Sequence, residues 1–109
     1  MTPESTRVVT VFRSRLRPEA AAEYTAWSER MSALARTMPG YIGHKGFSAP
    51  DGERVTVVEF ADEASHRAWA AHPEHREAQR LGRERFYAEF SVQVCRLVHS
   101  SSFPGGSRQ

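Results

Sequence analysis

The residues best equipped for chemistry lie in one stretch of the chain, between Trp69 and Tyr87. Its nineteen positions hold a tryptophan, two histidines on either side of a proline, a glutamine and four arginines. Histidine is the side chain that titrates nearest neutral pH, so His75 and His72 are the candidates for proton transfer. We therefore expect this stretch to form one wall of a functional site.

Each of these residues also has a plainer interpretation. The alternative for His72, which directly precedes Pro73, is the cap of a second helical piece, and the alternative for His75 is a solvent-facing position. Trp69 suits a pocket wall and a packed core equally well. Gln79 shares a helix face with His75, from which an amide can donate a hydrogen bond to a phenolate, but a surface role explains it equally well.

The basic residues that end the stretch point to structure more than to catalysis. Arg83 and Arg85 follow the second helical piece, where cations are favoured by the helix dipole. We interpret them as partners of that dipole or as members of ion pairs between subunits.

Composition excludes several classes of protein. The 109 residues predict one domain, and 15 Lys and Arg are interspersed with 13 Asp and Glu, without the basic cluster of a nucleic-acid-binding surface. A single cysteine, Cys95, permits neither an intramolecular disulfide nor a zinc site of several thiolates, so we expect no metal site and a reducing, cytoplasmic setting. The sequence contains no apolar run long enough to predict a membrane-spanning helix, and its first residues contain none that would predict a secretory signal.

Hydrophobic periodicity and turn residues predict the order of the elements. A Pro-Asp-Gly turn joins the second and third strands into an antiparallel hairpin, and Pro73 divides the second helical region into two pieces. The predicted elements are a strand over 7–16, a helix over 18–38, strands over 41–48 and 54–61, helical pieces from Asp62 to Ala71 and onward from Pro73, and a strand over 86–99.

This βαββαβ order predicts an α+β, ferredoxin-like fold, with a four-stranded antiparallel sheet and the helices on one face. The other face needs a cover, which a second copy of the chain would supply as a homodimer. We expect that open face to carry Tyr87, Gln93, Cys95 and Leu97, with Arg13 or His44 depending on register. Flexible tails over 1–6 and 100–109 would flank the domain at 7–99.

Four segments in this order resemble the antibiotic biosynthesis monooxygenase family, a branch of the dimeric α/β-barrel superfamily. They are Met38-Pro39-Gly40-Tyr41-Ile42-Gly43, Asp51-Gly52-Glu53, Ala68-Trp69-Ala70-Ala71-His72-Pro73-Glu74-His75 and Gly82-Arg83-Glu84-Arg85-Phe86-Tyr87. The resemblance extends over about residues 7–99. It implies a homodimer whose two sheets form an α/β barrel, with a pocket between sheet and helices in each protomer.

Among the activities of this family, the resemblance favours cofactor-independent oxidation of a small, electron-rich aromatic substrate by dioxygen. Removing a phenolic proton gives an anion that can pass an electron to dioxygen, which requires an apolar pocket and a positioned base. Quinone-forming members resemble this chain at Trp69, but they carry Asn where it has Ser65 and Tyr where it has His75. A non-catalytic dimeric binding module is the alternative from another class.

Haem degradation is the less favoured alternative within the family. Haem-degrading members carry an Asn on the first strand and an iron-binding His after the second-helix Trp. The resemblance places the first of these positions near Phe12 and the second at Gln79, and an amide is a poor haem ligand compared with imidazole. We therefore predict no cofactor. The residues that we expect to contact the substrate are Trp69, Ser65, Gln79, Phe12 and Tyr87.

Overall fold

The computed structural model describes residues 6–104. It contains four strands and three α-helices, and short helical turns over Pro18–Ala20 and Gly82–Phe86 precede α1 and β4. The elements in chain order are β1 (Val8–Leu16), α1 (Ala21–Ala35), β2 (Tyr41–Ser48), β3 (Arg54–Phe60), α2 (Glu63–Ala71), α3 (Pro73–Leu81) and β4 (Tyr87–Arg96).

Local chemistry explains where the helices begin. The Asp62 carboxylate accepts a hydrogen bond of 2.8 Å from the Ser65 backbone N–H and caps α2. His72 ends α2 and caps α3, because its Nδ1 accepts a 3.1 Å hydrogen bond from the Glu74 N–H. Pro73 then occupies the first turn of α3, where no backbone N–H is needed. The chain therefore changes direction between Trp69 and His75.

The sheet is antiparallel in the order β2-β3-β1-β4, which confirms the predicted ferredoxin-like α+β fold. Residues paired across antiparallel strands point to the same face. The register therefore places His44, Val58, Thr10 and Val94 in one row on the helix-bearing face, followed by Gly46, Thr56, Phe12 and Val92 in the next.

Two small buried clusters hold the helices on the sheet. One is built on Ala20, Leu81 and Phe86, and Tyr24, Trp27 and Tyr87 pack against it. The other is built on Ala35, Phe60 and Trp69, and Met31, Tyr41 and Val58 pack against it. Members of both clusters line one cavity between helices and sheet.

The structure corrects the prediction for β4. The strand begins at Tyr87 instead of Phe86 and ends at Arg96 instead of His99. Its pairing with β1 shifts between Arg15 and Leu16, which oppose Glu89 and Tyr87. The extra residue, Ala88, interrupts the alternation that places every second side chain on the same face. Tyr87 consequently lies on the helix-bearing face, and its predicted place on the open face is wrong.

Two other details differ from expectation. The α-helix of the first helical region ends at Ala35, and turns carry the chain on to Gly40, whose φ of +80° suits glycine.

His44, considered for the open face, pairs with Val58 on the helix-bearing face. The register leaves Gln93, Cys95 and Arg13 on the open face as expected, because they pair with Val11, Val9 and Val55.

The predicted tails fall mostly outside the described residues. Residues 100–104 are exposed and adopt neither helix nor strand, while 1–5 and 105–109 lie beyond the described part. Within residues 6–104 no helix has the length and apolar character needed to cross a membrane.

Candidate active site

A cavity of about 440 Å³ lies between the helices and the sheet. Aromatic and aliphatic side chains form most of its lining, and within residues 6–104 no Asp or Glu contributes to it. The only lining side chain with a permanent charge, in the same described range, is Arg83. A site of this kind favours a flat, apolar ligand that is neutral or negatively charged.

The sheet supplies an apolar floor. Phe12 lies 5.3 Å from Tyr87 and 5.6 Å from Phe90 between ring centroids, so three rings form a continuous aromatic surface. Along β4 this surface continues into Val92 and Val94, and it is only partly covered, with Phe90 41% and Val94 52% exposed. The cavity therefore opens along the β4 edge of the sheet.

The helices supply the wall with acid–base capacity. His75 stacks on Trp69 with ring centroids 4.2 Å apart and 18° between the planes. Its Nδ1 lies 3.1 Å from the Trp69 carbonyl oxygen. Because a carbonyl oxygen only accepts hydrogen bonds, Nδ1 carries the proton and Nε2 of the neutral ring carries the lone pair. The stack and the hydrogen bond together fix the orientation of the imidazole.

Burial keeps this imidazole in its neutral form. Desolvation lowers the pKa of His75 below the ordinary value, and the hydrogen bond to the Trp69 carbonyl opposes that shift without reversing it. The nearby His66 and His72 lower the pKa of His75 further, because a positive charge on either of them would repel a positive charge on His75. At neutral pH His75 is therefore a neutral imidazole with its lone pair on Nε2.

The structure brings together Trp69, His75, Gln79, Phe12 and Tyr87, which all line the cavity. The Gln79 amide nitrogen lies 3.5 Å from His75 Nδ1, one helical turn further along α3, and since both nitrogens carry hydrogen this is a contact and not a hydrogen bond. Tyr87 has its pKa raised by burial and then by Tyr24, so its hydroxyl stays protonated and able to donate.

Ser65 and His72 are not brought to the cavity. His72 is used as the cap of α3, which was the plainer interpretation of that residue. Ser65 packs against Gly40, where a Cβ on the glycine would collide with the serine side chain. Neither residue lines the cavity.

Three basic residues of the cavity, His44, His66 and Arg83, were missed by the sequence analysis. His44 bonds on both sides of its ring, at 2.7 Å to the Tyr41 hydroxyl and 3.0 Å to Ser32 Oγ. His66 also lines the cavity, and burial lowers the pKa of both His44 and His66. The spacing of His66 to Trp69, three residues on one helix, was the signal that could have found it.

Arg83 is the third missed residue, because it lines the cavity instead of serving only the helix dipole. Arg85, interpreted as a dipole partner or as a member of an ion pair between subunits, instead forms a 2.9 Å ion pair with Glu23 within the same chain.

The lining residues do not match the haem site that the resemblance describes. Gln79 stands in the cavity where that branch has its iron-binding histidine, and an amide does not replace imidazole there. In the part of the chain that the structure describes, no three His, Cys, Asp or Glu side chains gather to hold a metal ion.

Comparisons with known proteins agree with the fold. A profile of the antibiotic biosynthesis monooxygenase family matches residues 7–81. The uncharacterized protein YqjZ of Bacillus subtilis is 30% identical over 102 residues, which are 94% of this chain and 89% of YqjZ.

Two solved structures share the architecture at low sequence identity. SnoaB, a cofactor-independent oxygenase from Streptomyces nogalater, superposes with a TM-score of 0.75 at 19% identity, over 92% of this chain and 99% of SnoaB. Rv0793 from Mycobacterium tuberculosis superposes with a TM-score of 0.78 at 18% identity, over 88% of this chain and 99% of Rv0793. These two structures share the fold, and the profile match over residues 7–81 shows that this chain belongs to the antibiotic biosynthesis monooxygenase family.

Proposed function

We propose that this protein is a cofactor-independent monooxygenase that oxidises an electron-rich aromatic phenol or quinol with dioxygen. The observation that carries the proposal is His75, an imidazole held by Trp69 in its Nδ1-protonated form, in a cavity without acidic residues among those described. A neutral imidazole of fixed orientation is suited to removing a phenolic proton.

The proposed reaction begins when His75 Nε2 accepts the proton of a substrate hydroxyl. The resulting phenolate is electron-rich enough to pass one electron to dioxygen, and the two radicals combine into a peroxide at the para carbon. The O–O bond and the C–H bond at that carbon then break, which releases water and gives the quinone, so one oxygen atom of dioxygen enters the product and the other leaves in water. The imidazolium supplies the proton that water formation requires, and His75 returns to its neutral form.

The other lining residues have supporting roles in this proposal. Phe12, Phe90 and Tyr87 provide the flat apolar surface on which a fused ring system would lie. The Tyr87 hydroxyl and the Gln79 amide are the donors available to an oxygen that gains negative charge. SnoaB, which has the same fold, is described as a cofactor-independent oxygenase, and this supports the reaction class without identifying the substrate.

The active form in this proposal is a homodimer that covers the open face of the sheet. That face carries a strip of valines from the central strands, including Val11 paired with Val57. Ion pairs border it, including a two-bond contact between Arg13 and Glu53 at 2.8 and 3.0 Å. An apolar centre with a charged border is typical of a subunit interface. Light scattering at micromolar concentration tests this: a stable monomer would contradict it.

Oxygen uptake tests the proposed activity. The purified protein is mixed with a panel of hydroquinones and anthrone-type phenols, and oxygen consumption is followed with an electrode. We expect at least one substrate to consume oxygen well above its spontaneous rate, and ¹⁸O₂ to place one labelled atom in the product. If no substrate exceeds background and His75→Gln behaves as wild type, the protein is a binding module instead.

A haem titration tests the less favoured branch independently. The cavity lacks the branch's histidine at Gln79, so we expect no Soret shift when haemin is added to the protein. A stoichiometric shift that His75→Gln abolishes would contradict the cofactor-independent proposal.

A further inference from the structure

Arg83 differs from the arginines on either side of it. Arg80 is held by two carboxylates, at 2.6 Å from Glu77 and 2.8 Å from Glu84, and Arg85 by Glu23 at 2.9 Å. In residues 6–104 no acidic side chain forms an ion pair with Arg83.

The position of Arg83 explains why an unpaired cation is useful there. It is solvent-exposed and also lines the cavity, which places it at the cavity mouth. It lies within the π-helical turn Gly82–Phe86, a local widening of the helix that is frequent at functional sites.

The helical wall presents three different chemical groups in a row. His75, Gln79 and Arg83 follow one another at intervals of four residues and all line the cavity. With a rise of about 1.5 Å per residue, His75 and Arg83 are separated by roughly 12 Å along the helix. A ligand that reaches both would extend across several fused rings.

We propose that the substrate carries an anionic substituent, best a carboxylate, which Arg83 binds at the cavity mouth while the reacting hydroxyl lies at His75. This inference rests on the proposed function, because it assigns the orientation of the substrate in that same site. A guanidinium presents paired N–H donors that match the two oxygens of a carboxylate. The absence of acidic lining residues, in the part of the chain that is described, leaves the ligand as the only counter-charge in the cavity.

Two matched probes separate charge from ring binding. Anthraquinone-2-carboxylate and 2-(hydroxymethyl)anthraquinone share a ring system, and only the first is an anion at neutral pH. Both tryptophans, Trp27 and Trp69, line the cavity, so quenching of intrinsic fluorescence reports binding of either probe. No turnover is needed, so this experiment is independent of the oxygen-uptake assay.

Wild type is expected to bind the carboxylate about fivefold more tightly than the alcohol, as suits an ion pair near solvent. Arg83→Gln should abolish this preference and leave the affinity for the alcohol unchanged, while Arg83→Lys should keep part of it. Arg76→Gln is the matched control, since Arg76 is exposed on α3 and outside the cavity lining. Urea unfolding of each variant confirms that it is folded.

Three results would overturn the inference: a preference for the carboxylate that persists in Arg83→Gln, an equal loss in Arg83→Gln and Arg76→Gln, or no quenching by either probe. Oxygen uptake with an uncharged phenol is a separate measurement, which does not depend on binding of an anion by Arg83. The role of Arg83 can therefore be wrong while the proposed oxygenase activity is right, and the oxygenase activity can be wrong while Arg83 still binds the anionic probe.

Discussion

The two walls of the cavity are built on different principles. The helical wall holds its polar groups in fixed positions, with Trp69 only 8% exposed and His75 stacked on it. The floor on β4 is apolar and open, with Phe90 41% and Val92 47% exposed. The difference indicates that the helices hold His75 in one orientation, while the sheet provides an open apolar surface.

The largest difference between the walls should appear in stability. Trp69→Ala removes a large buried side chain and the support of His75, so we expect the free energy of unfolding to fall by about 3 kcal/mol. Phe90→Ala removes a ring that is already partly in water, and about 1 kcal/mol should be lost. Urea denaturation measures both values. Equal losses would show that the floor is as much part of the core as the helical wall.

The next effect is on turnover. His75→Gln keeps a polar side chain of similar size but removes the base, so oxygen consumption should fall about a hundredfold, as is usual for loss of a general base. His72→Gln is the matched control, because His72 caps α3 outside the cavity, and its rate should stay within about twofold of wild type. Comparable losses in the two variants would remove His75 from its proposed role.

A smaller effect is expected on ligand affinity from the floor. Phe90→Ala shortens the aromatic surface that Phe12 and Tyr87 begin, so the dissociation constant for a polycyclic probe should rise about fivefold. Ser91→Ala, on the opposite face of the same strand, should leave it unchanged. Fluorescence titration measures both, and an unchanged affinity in Phe90→Ala would exclude the floor as the ring-binding surface.

The smallest effect is on the pH dependence of stability. Burial lowers the pKa of His75, as it does for His44 and His66. As the pH falls below about 6.5, these histidines therefore take up protons in the unfolded chain before they do so in the folded protein. The free energy of unfolding decreases over this range, until the pH has fallen through the lower folded pKa values. Between pH 7.5 and 5 the urea midpoint should decrease less in His75→Gln than in His72→Gln. Identical curves would mean that His75 is not held neutral by burial.

Much of the fold followed from residues with a clear local meaning. The Pro-Asp-Gly turn and Pro73 each set a boundary that the structure contains, whereas the helix before Pro39-Gly40 ends earlier than predicted, at Ala35. The rotation of a helix about its axis is less well determined, because a face is shared by residues at several spacings. That is why Ser65 was expected in the cavity, whereas His66, its neighbour in sequence, lies there.

The remaining errors depended on contacts distant in sequence. Tyr87 changed face because the pairing of β4 with β1 shifts by one residue, and such a shift is not visible in the alternation of β4 alone. The role of Arg83 depends on which arginines find acidic partners, and Glu23, the partner of Arg85, lies on a different helix. Sequence spacing within Gly82–Phe86 contains no information about that choice.

The central claim is that His75 is the neutral base of the cavity, with its proton on Nδ1 and its lone pair on Nε2. Nitrogen-15 NMR of the histidine side chains tests it most directly. We expect the Nδ1-protonated tautomer for His75, a titration midpoint below 6.5, and a shift of Nε2 when 1,8-dihydroxyanthraquinone binds. A His75 ring protonated on Nε2 alone, or one that titrates above 6.5 and does not respond to the ligand, would contradict the proposed function.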